Sequence, residues 1–217
     1  MLCPDNRGLG ASVRGGGELT VARLAQDVLT VMDDVGIERA AVIGWSLGGF
    51  IAQELAARAP KRVEALVLLA SDPGGPEAVR SAPEVDRRLR DHTGTPREQA
   101  TRLIGLLFPP PVAVEIDARF GEVVAASRER LSPAVLDEQE RLMDTWHREP
   151  ATERLAEIRA PTLVAAGSAD VVIPPQNVGV LAAHLPDAWT ARFPGGGHAF
   201  MAQEPKRLAG LIRTFLG

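Results

Sequence analysis

Apolar residues fall into two kinds of rhythm along the chain. After Thr20, which reads as an N-cap, Val21, Leu24, Val28, Met32 and Val35 recur at three- and four-residue spacing until Gly36. That pattern predicts an amphipathic helix with a glycine stop. The next segment, Ala40-Ala41-Val42-Ile43, is short and uniformly apolar, as expected of a strand buried on both faces. It runs into Gly44-Trp45-Ser46-Leu47-Gly48-Gly49. A second helical stretch carrying Phe50, Ile51 and Leu55 then ends at Pro60. Residues 63–69 predict another buried strand. Strand, helix and strand with short connections imply parallel pairing through right-handed crossovers.

The alternation breaks after Asp72-Pro73-Gly74-Gly75-Pro76. From there to Arg154 the chain reads as helices without a strand. One apolar face carries Leu103, Ile104, Leu107 and Phe108. A second carries Val135, Leu136, Leu142, Met143 and Trp146, and Pro109-Pro110-Pro111 separates the two. Strand character returns at 162–166 and at 189–193, with a helix between them. A last helix carries Leu208, Leu211, Ile212, Phe215 and Leu216. The expected fold class is therefore α/β, a mostly parallel sheet with flanking helices. Core segments 1–72 and 155–217 bracket a helical insertion, 73–154. In open parallel sheets ligands bind beyond the carboxyl ends of the strands.

Composition narrows the function without choosing it. The 217 residues are 45% hydrophobic and 24% charged, with a net charge of -4, an ordinary globular balance. No basic stripe suggests nucleic acid or an anionic membrane. Arg87, Arg88 and Arg90 are interleaved with Asp86 and Asp91 as on a solvated helix face. The single cysteine, Cys3, excludes an intrachain disulfide and a CxxC metal site. Histidines and carboxylates do not cluster at ligand spacing, so neither a metal nor an organic cofactor is implied. The first residues lack the basic and apolar regions of a signal peptide, and no apolar run reaches the roughly 20 residues of a membrane span. A cytoplasmic protein is expected.

Four chemically apt residues follow strand ends: Ser46, Asp72, Asp170 and His198. Gly44-x-Ser46-x-Gly48 fits a nucleophile elbow, in which a serine projects from a strained strand-to-helix turn. Flanking glycines would relieve crowding there. Such a match arises by chance in on the order of one in ten chains of this length, so the buried strand before it and the helix after it carry the weight. A serine hydroxyl needs a base. His198 follows Gly195-Gly196-Gly197 after a strand, whereas His92, His147 and His184 read as surface or packing residues. The imidazole needs a carboxylate. Asp170, in Gly167-Ser168-Ala169-Asp170, is preferred. Asp72 is the alternative acid, although before Pro73-Gly74 it suits an Asx-turn. Trp45 could line a substrate pocket or pack against the sheet, and Phe200 carries the same ambiguity.

The order Ser46, Asp170, His198 resembles that of the α/β-hydrolase superfamily. Asp5-Asn6-Arg7-Gly8-Leu9-Gly10-Ala11-Ser12 is similar to its D-x-R-G-x-G-x-S segment. Gly44 to Gly49 is similar to its elbow, and Pro161-Thr162-Leu163-Val164 with Gly167 to Asp170, and Gly196-Gly197-His198-Ala199-Phe200, to its acid and base segments. The closest pattern is the group of 3-oxoadipate enol-lactonases, cofactor-free haloperoxidases and small esterases. The resemblance implies a serine hydrolase for a small ester or lactone, with 73–154 as a cap over the site and the Leu47 N–H as an oxyanion donor.

The family also has strands ahead of the D-x-R-G segment and an His-Gly loop that supplies a second oxyanion donor. This sequence starts almost at Asp5, so an N-terminally truncated chain is expected. An exposed edge at 40–43 is expected with it, where two copies could pair. The alternative is a catalytically impaired or silent hydrolase-like fragment that binds a small ligand or partner. An epoxide or haloalkane hydrolase would need an aspartate where Ser46 stands.

Overall fold

The computed structural model describes residues 1–150 and 152–217; residue 151, inside the expected helical insertion, lies outside the described residues. The elements run α1 (Val21–Asp34), β1 (Ala40–Trp45), α2 (Leu47–Arg58), β2 (Val63–Leu69), α3 (Pro83–Leu89), α4 (Pro96–Leu107), α5 (Pro110–Glu129), α6 (Pro133–Trp146), α7 (Thr152–Ala156), β3 (Thr162–Gly167), α8 (Asn177–His184), β4 (Ala188–Phe193), α9 (Phe200–Gln203) and α10 (Pro205–Leu216). The four strands form one parallel sheet in the order β1-β2-β3-β4.

Each face of the sheet has its own core. On one, Leu66 and Leu68 of β2 and Val164 and Ala166 of β3 pack under α1, α2, α7 and α8. On the other, Val67, Leu69, Leu163 and Ala165 meet Phe193, Phe200 and Leu208 beneath α10. Thr20 caps α1 as its sequence suggests, accepting a hydrogen bond from the Arg23 N–H, and Gly36 ends the helix with φ 72°. The Asp5–Ser12 segment folds on itself. Asp5 accepts from the Ala11 N–H, Ser12 Oγ donates to the Asp5 carbonyl, and Arg7 pairs with Asp27 of α1.

Two expectations are corrected. The strand at 40–43 is not buried on both faces. It is the exposed sheet edge that the family resemblance leads one to expect, and Ile43 and Trp45 are 50% and 40% exposed. These two lie in register with Val67 and Leu69, on the face that α10 covers only over the other strands. The triple proline, in turn, does not merely separate two helices. Pro110 and Pro111 form the first turn of α5, where a missing N–H costs nothing.

Helices α3 to α6 lie between β2 and β3 in sequence and are tied together by ion pairs. Arg97 of α4 pairs with Asp117 of α5 at 2.7 Å, and Arg90 joins Asp86 and Asp144. Thr95 and Glu98 form a reciprocal capping box at the start of α4. Trp146 anchors the segment to the core. Its ring stacks on Phe50 of α2 at 4.9 Å, and the Arg154 guanidinium lies over the indole at 3.7 Å.

Candidate active site

Ser46 sits between β1 and α2 with φ 54° and ψ -122°, a conformation that costs a non-glycine residue on the order of 1–3 kcal/mol. The surroundings impose it. The Ser46 N–H donates to the Leu69 carbonyl at 2.9 Å, continuing the β1–β2 ladder to the last residue before the helix. A Cβ on Gly44 would run into the Gly48 carbonyl, and one on Gly49 into Ser71. Gly48 differs: nothing lies near a Cβ there, so crowding does not account for this second glycine of the elbow. Leu47 opens α2 and lines the cavity beside Ser46. As a first-turn residue its N–H has no intrahelical partner and sits at the positive end of the helix dipole.

The strand-end loops bring Asp170 and His198 together. His198 Nδ1 and Asp170 Oδ2 are 2.8 Å apart, and the two residues are 2% and 4% exposed. The other carboxylate oxygen of Asp170 accepts from the Val172 and Ile173 N–H groups, both at 2.9 Å. The carboxylate therefore cannot swing without losing two hydrogen bonds. The histidine loop is held just as closely. The Trp45 indole N–H donates to the His198 carbonyl at 3.0 Å, and the Ala199 N–H donates to Leu107 of α4. Gly197 is required because a Cβ would strike the Leu107 carbonyl and Pro109.

Ser46, Leu47 and His198 share one cavity of about 440 Å³ with residues from α3, α4, α5 and α6. Trp45 lines it as well as holding the histidine loop. Phe200 does not line it. Its ring is fully buried 4.7 Å from Phe193, because the turn into α9 directs it under α10. Asp72, also in the wall, has its hydrogen-bond partners elsewhere than His198. One oxygen caps its own turn by accepting from the Gly74 N–H at 2.8 Å, and the other faces His147 Nε2 at 3.1 Å.

Sequence reasoning passed over His92 and His147 as surface or packing residues, yet both line the cavity. His147 bridges the Met143 carbonyl and Asp72, and His92 lies between Glu140 and Arg128. Arg90, facing the same space, is raised well above the usual guanidinium range by its hydrogen bonds to Asp144 and Asp86.

A family model described as the alpha/beta hydrolase fold matches residues 1–205. The chain belongs to the α/β-hydrolase family. Among its curated relatives, the “Putative carbamate hydrolase RutD” of Azorhizobium caulinodans is 32% identical over 213 residues, 98% of this chain and 79% of the relative. A solved hydrolase from Pseudomonas aeruginosa PA01 superposes with a TM-score of 0.76 at 31% identity, over 98% of this chain and 78% of that one. The enol-lactonase of Burkholderia xenovorans LB400 gives 0.75 at 24% identity over the same shares, which is likeness of fold. The chain is thus a hydrolase of the α/β-hydrolase type. Among the described residues no helix is long and apolar enough to cross a membrane.

Proposed function

We propose that the chain is a serine hydrolase of small carboxylic esters or lactones, with Ser46 as nucleophile, His198 as base and Asp170 as the acid that orients it. The observation that carries this reading is the buried His198–Asp170 pair, with its carboxylate locked by two backbone N–H groups, beside a serine in a strained elbow. With Nδ1–H donated to Asp170, His198 presents Nε2 as the acceptor. Nε2 takes the Ser46 proton as Oγ bonds to the substrate carbonyl carbon. The oxyanion gathers at the Leu47 N–H, the carbon–oxygen bond breaks, and the proton passes to the departing alcohol. Water, deprotonated by the same imidazole, then releases the acid and regenerates Ser46. Asp170 holds the imidazole tautomer and stabilises the imidazolium. The helices α3 to α6 act as the cap that shapes the pocket.

Labelling by a fluorophosphonate probe tests the assignment. The expected outcome is a label that disappears in Ser46→Ala, together with p-nitrophenyl acetate turnover that falls about 10³-fold or more in His198→Ala. A label that persists in Ser46→Ala overturns it.

A further inference from the structure

The charged groups around the cavity are matched, with one inward exception. Arg90 meets Asp86, Asp144 and Glu140, and His147 meets Asp72. Arg128, in the last turn of α5, lines the same cavity as Ser46, yet among the described residues no carboxylate stands at ion-pair distance from it. Its hydrogen bonds go to uncharged acceptors. Nε donates to Gln99 Oε1 at 3.3 Å, and Nη2 donates to His92 Nδ1 at 3.0 Å. A guanidinium has five N–H donors and accepts nothing. His92 must therefore carry its proton on Nε2, which faces Glu140 at 2.7 Å. These bonds use two of the five donors of a side chain that lines the cavity.

This arrangement is costly for the protein alone. Burial, and after it the neighbouring Arg102, pull Arg128 below the usual guanidinium range. A helix C-terminus favours a cation, but that explains a basic residue in the last turn on the surface, not one turned inward and held by Gln99 and His92. The cavity that Arg128 and Ser46 share is also lined by the apolar side chains of Leu89, Leu103, Leu107, Leu136 and Met143. Arg80, exposed at the rim, adds positive charge at the mouth.

We propose that Arg128, positioned by His92 and Gln99, is a carboxylate-binding subsite, and that the substrates are esters or lactones carrying a free carboxylate away from the scissile bond. This rests on the serine-hydrolase reading for the reaction, but not for the binding. The aliphatic wall takes the carbon chain, and the planar fork takes the two oxygens. A matched anion removes the penalty that burial imposes on the guanidinium.

The test compares p-nitrophenyl hemiglutarate with the neutral p-nitrophenyl pentanoate. Wild type is expected to favour the anionic ester in kcat/KM by at least about tenfold, the effect of one charge-assisted contact. Arg128→Gln should lose that preference, and Arg128→Lys should retain part of it. Equal preference in wild type and Arg128→Gln overturns the proposal. Calorimetric titration with glutarate decides independently of turnover. Saturable binding in wild type that is lost in Arg128→Gln supports the subsite even if neither ester is hydrolysed, whereas wild type without saturable binding overturns it. The thermal midpoint of Arg128→Met gives a further arm. Removal of an unmatched, desolvated cation should leave the midpoint unchanged or higher, and a clear fall would assign Arg128 to the fold instead.

Discussion

Ser46 holds a backbone conformation that its neighbours enforce, and Gly44 is the residue that makes room for it. A methyl group at Gly44 meets the Gly48 carbonyl, which is fixed in the first turn of α2 and cannot swing aside as a side chain would. Gly44→Ala is therefore expected to cost about 1–3 kcal/mol, read as a lower urea midpoint at constant slope. Gly48→Ala is its control. With open space at its Cβ and a helical position, it should be neutral or slightly stabilising. Equal losses at the two positions would refute the steric account of the elbow. The same logic separates the glycines of the histidine loop. Gly197 faces the Leu107 carbonyl at close quarters, whereas Gly195 takes φ 70° and has nothing near its Cβ.

Among the elements, α4 and α5 combine an apolar cluster around Ile104, Phe108 and Ala113 with ion pairs between the helices. The buried positions of α5 are Ala113, Gly121 and Ala125, and larger residues such as Val114 and Val123 face outward. Arg97 crosses the helix at Gly121 to reach Asp117, whose carboxyl it holds below the usual range. Arg90 does the same for Asp144. A carboxylate depressed in the fold contributes stability above its unfolded value of about 3.9, and that contribution is lost as pH falls through the lower folded value. The thermal midpoint should thus drop below about pH 4, and more gently in Arg97→Gln. Parallel pH profiles for the two proteins would remove this pair from the account. The small buried residues also explain what the sequence pattern could not reveal. The fully buried positions of α5 are alanine and glycine. Its larger apolar residues divide between the cluster, with Val112, Ile116 and Val124, and solvent, with Val114 and Val123, so no single apolar stripe stands out in the sequence. The positions of Ser46, Asp170 and His198 at strand ends were legible because each belongs to a local strand-end motif. The cavity positions of His92, His147 and Arg128 were not, since they depend on how four helices meet in space.

At the scale of the whole molecule both edges of the sheet expose large apolar side chains. β4 shows Trp189 beside the exposed Thr190 and Arg192, and β1 shows Ile43 and Trp45. Unpaired backbone groups along an apolar edge favour strand-to-strand association. Concentration-dependent association in sedimentation is the expected behaviour, and Ile43→Lys should weaken it. A monomer at all concentrations would contradict this. The contact between the Ala199 N–H and the Leu107 carbonyl reaches further than its size suggests. The corner between α4 and α5, beside the cavity, also braces the loop bearing His198, the proposed base. Exchanging α3 to α6 for the helices of a relative, to redirect specificity, is then not a modular graft. A transplant that omits residues 107–109 would move the imidazole along with the pocket, and the hybrid would bind new molecules that it could no longer cleave.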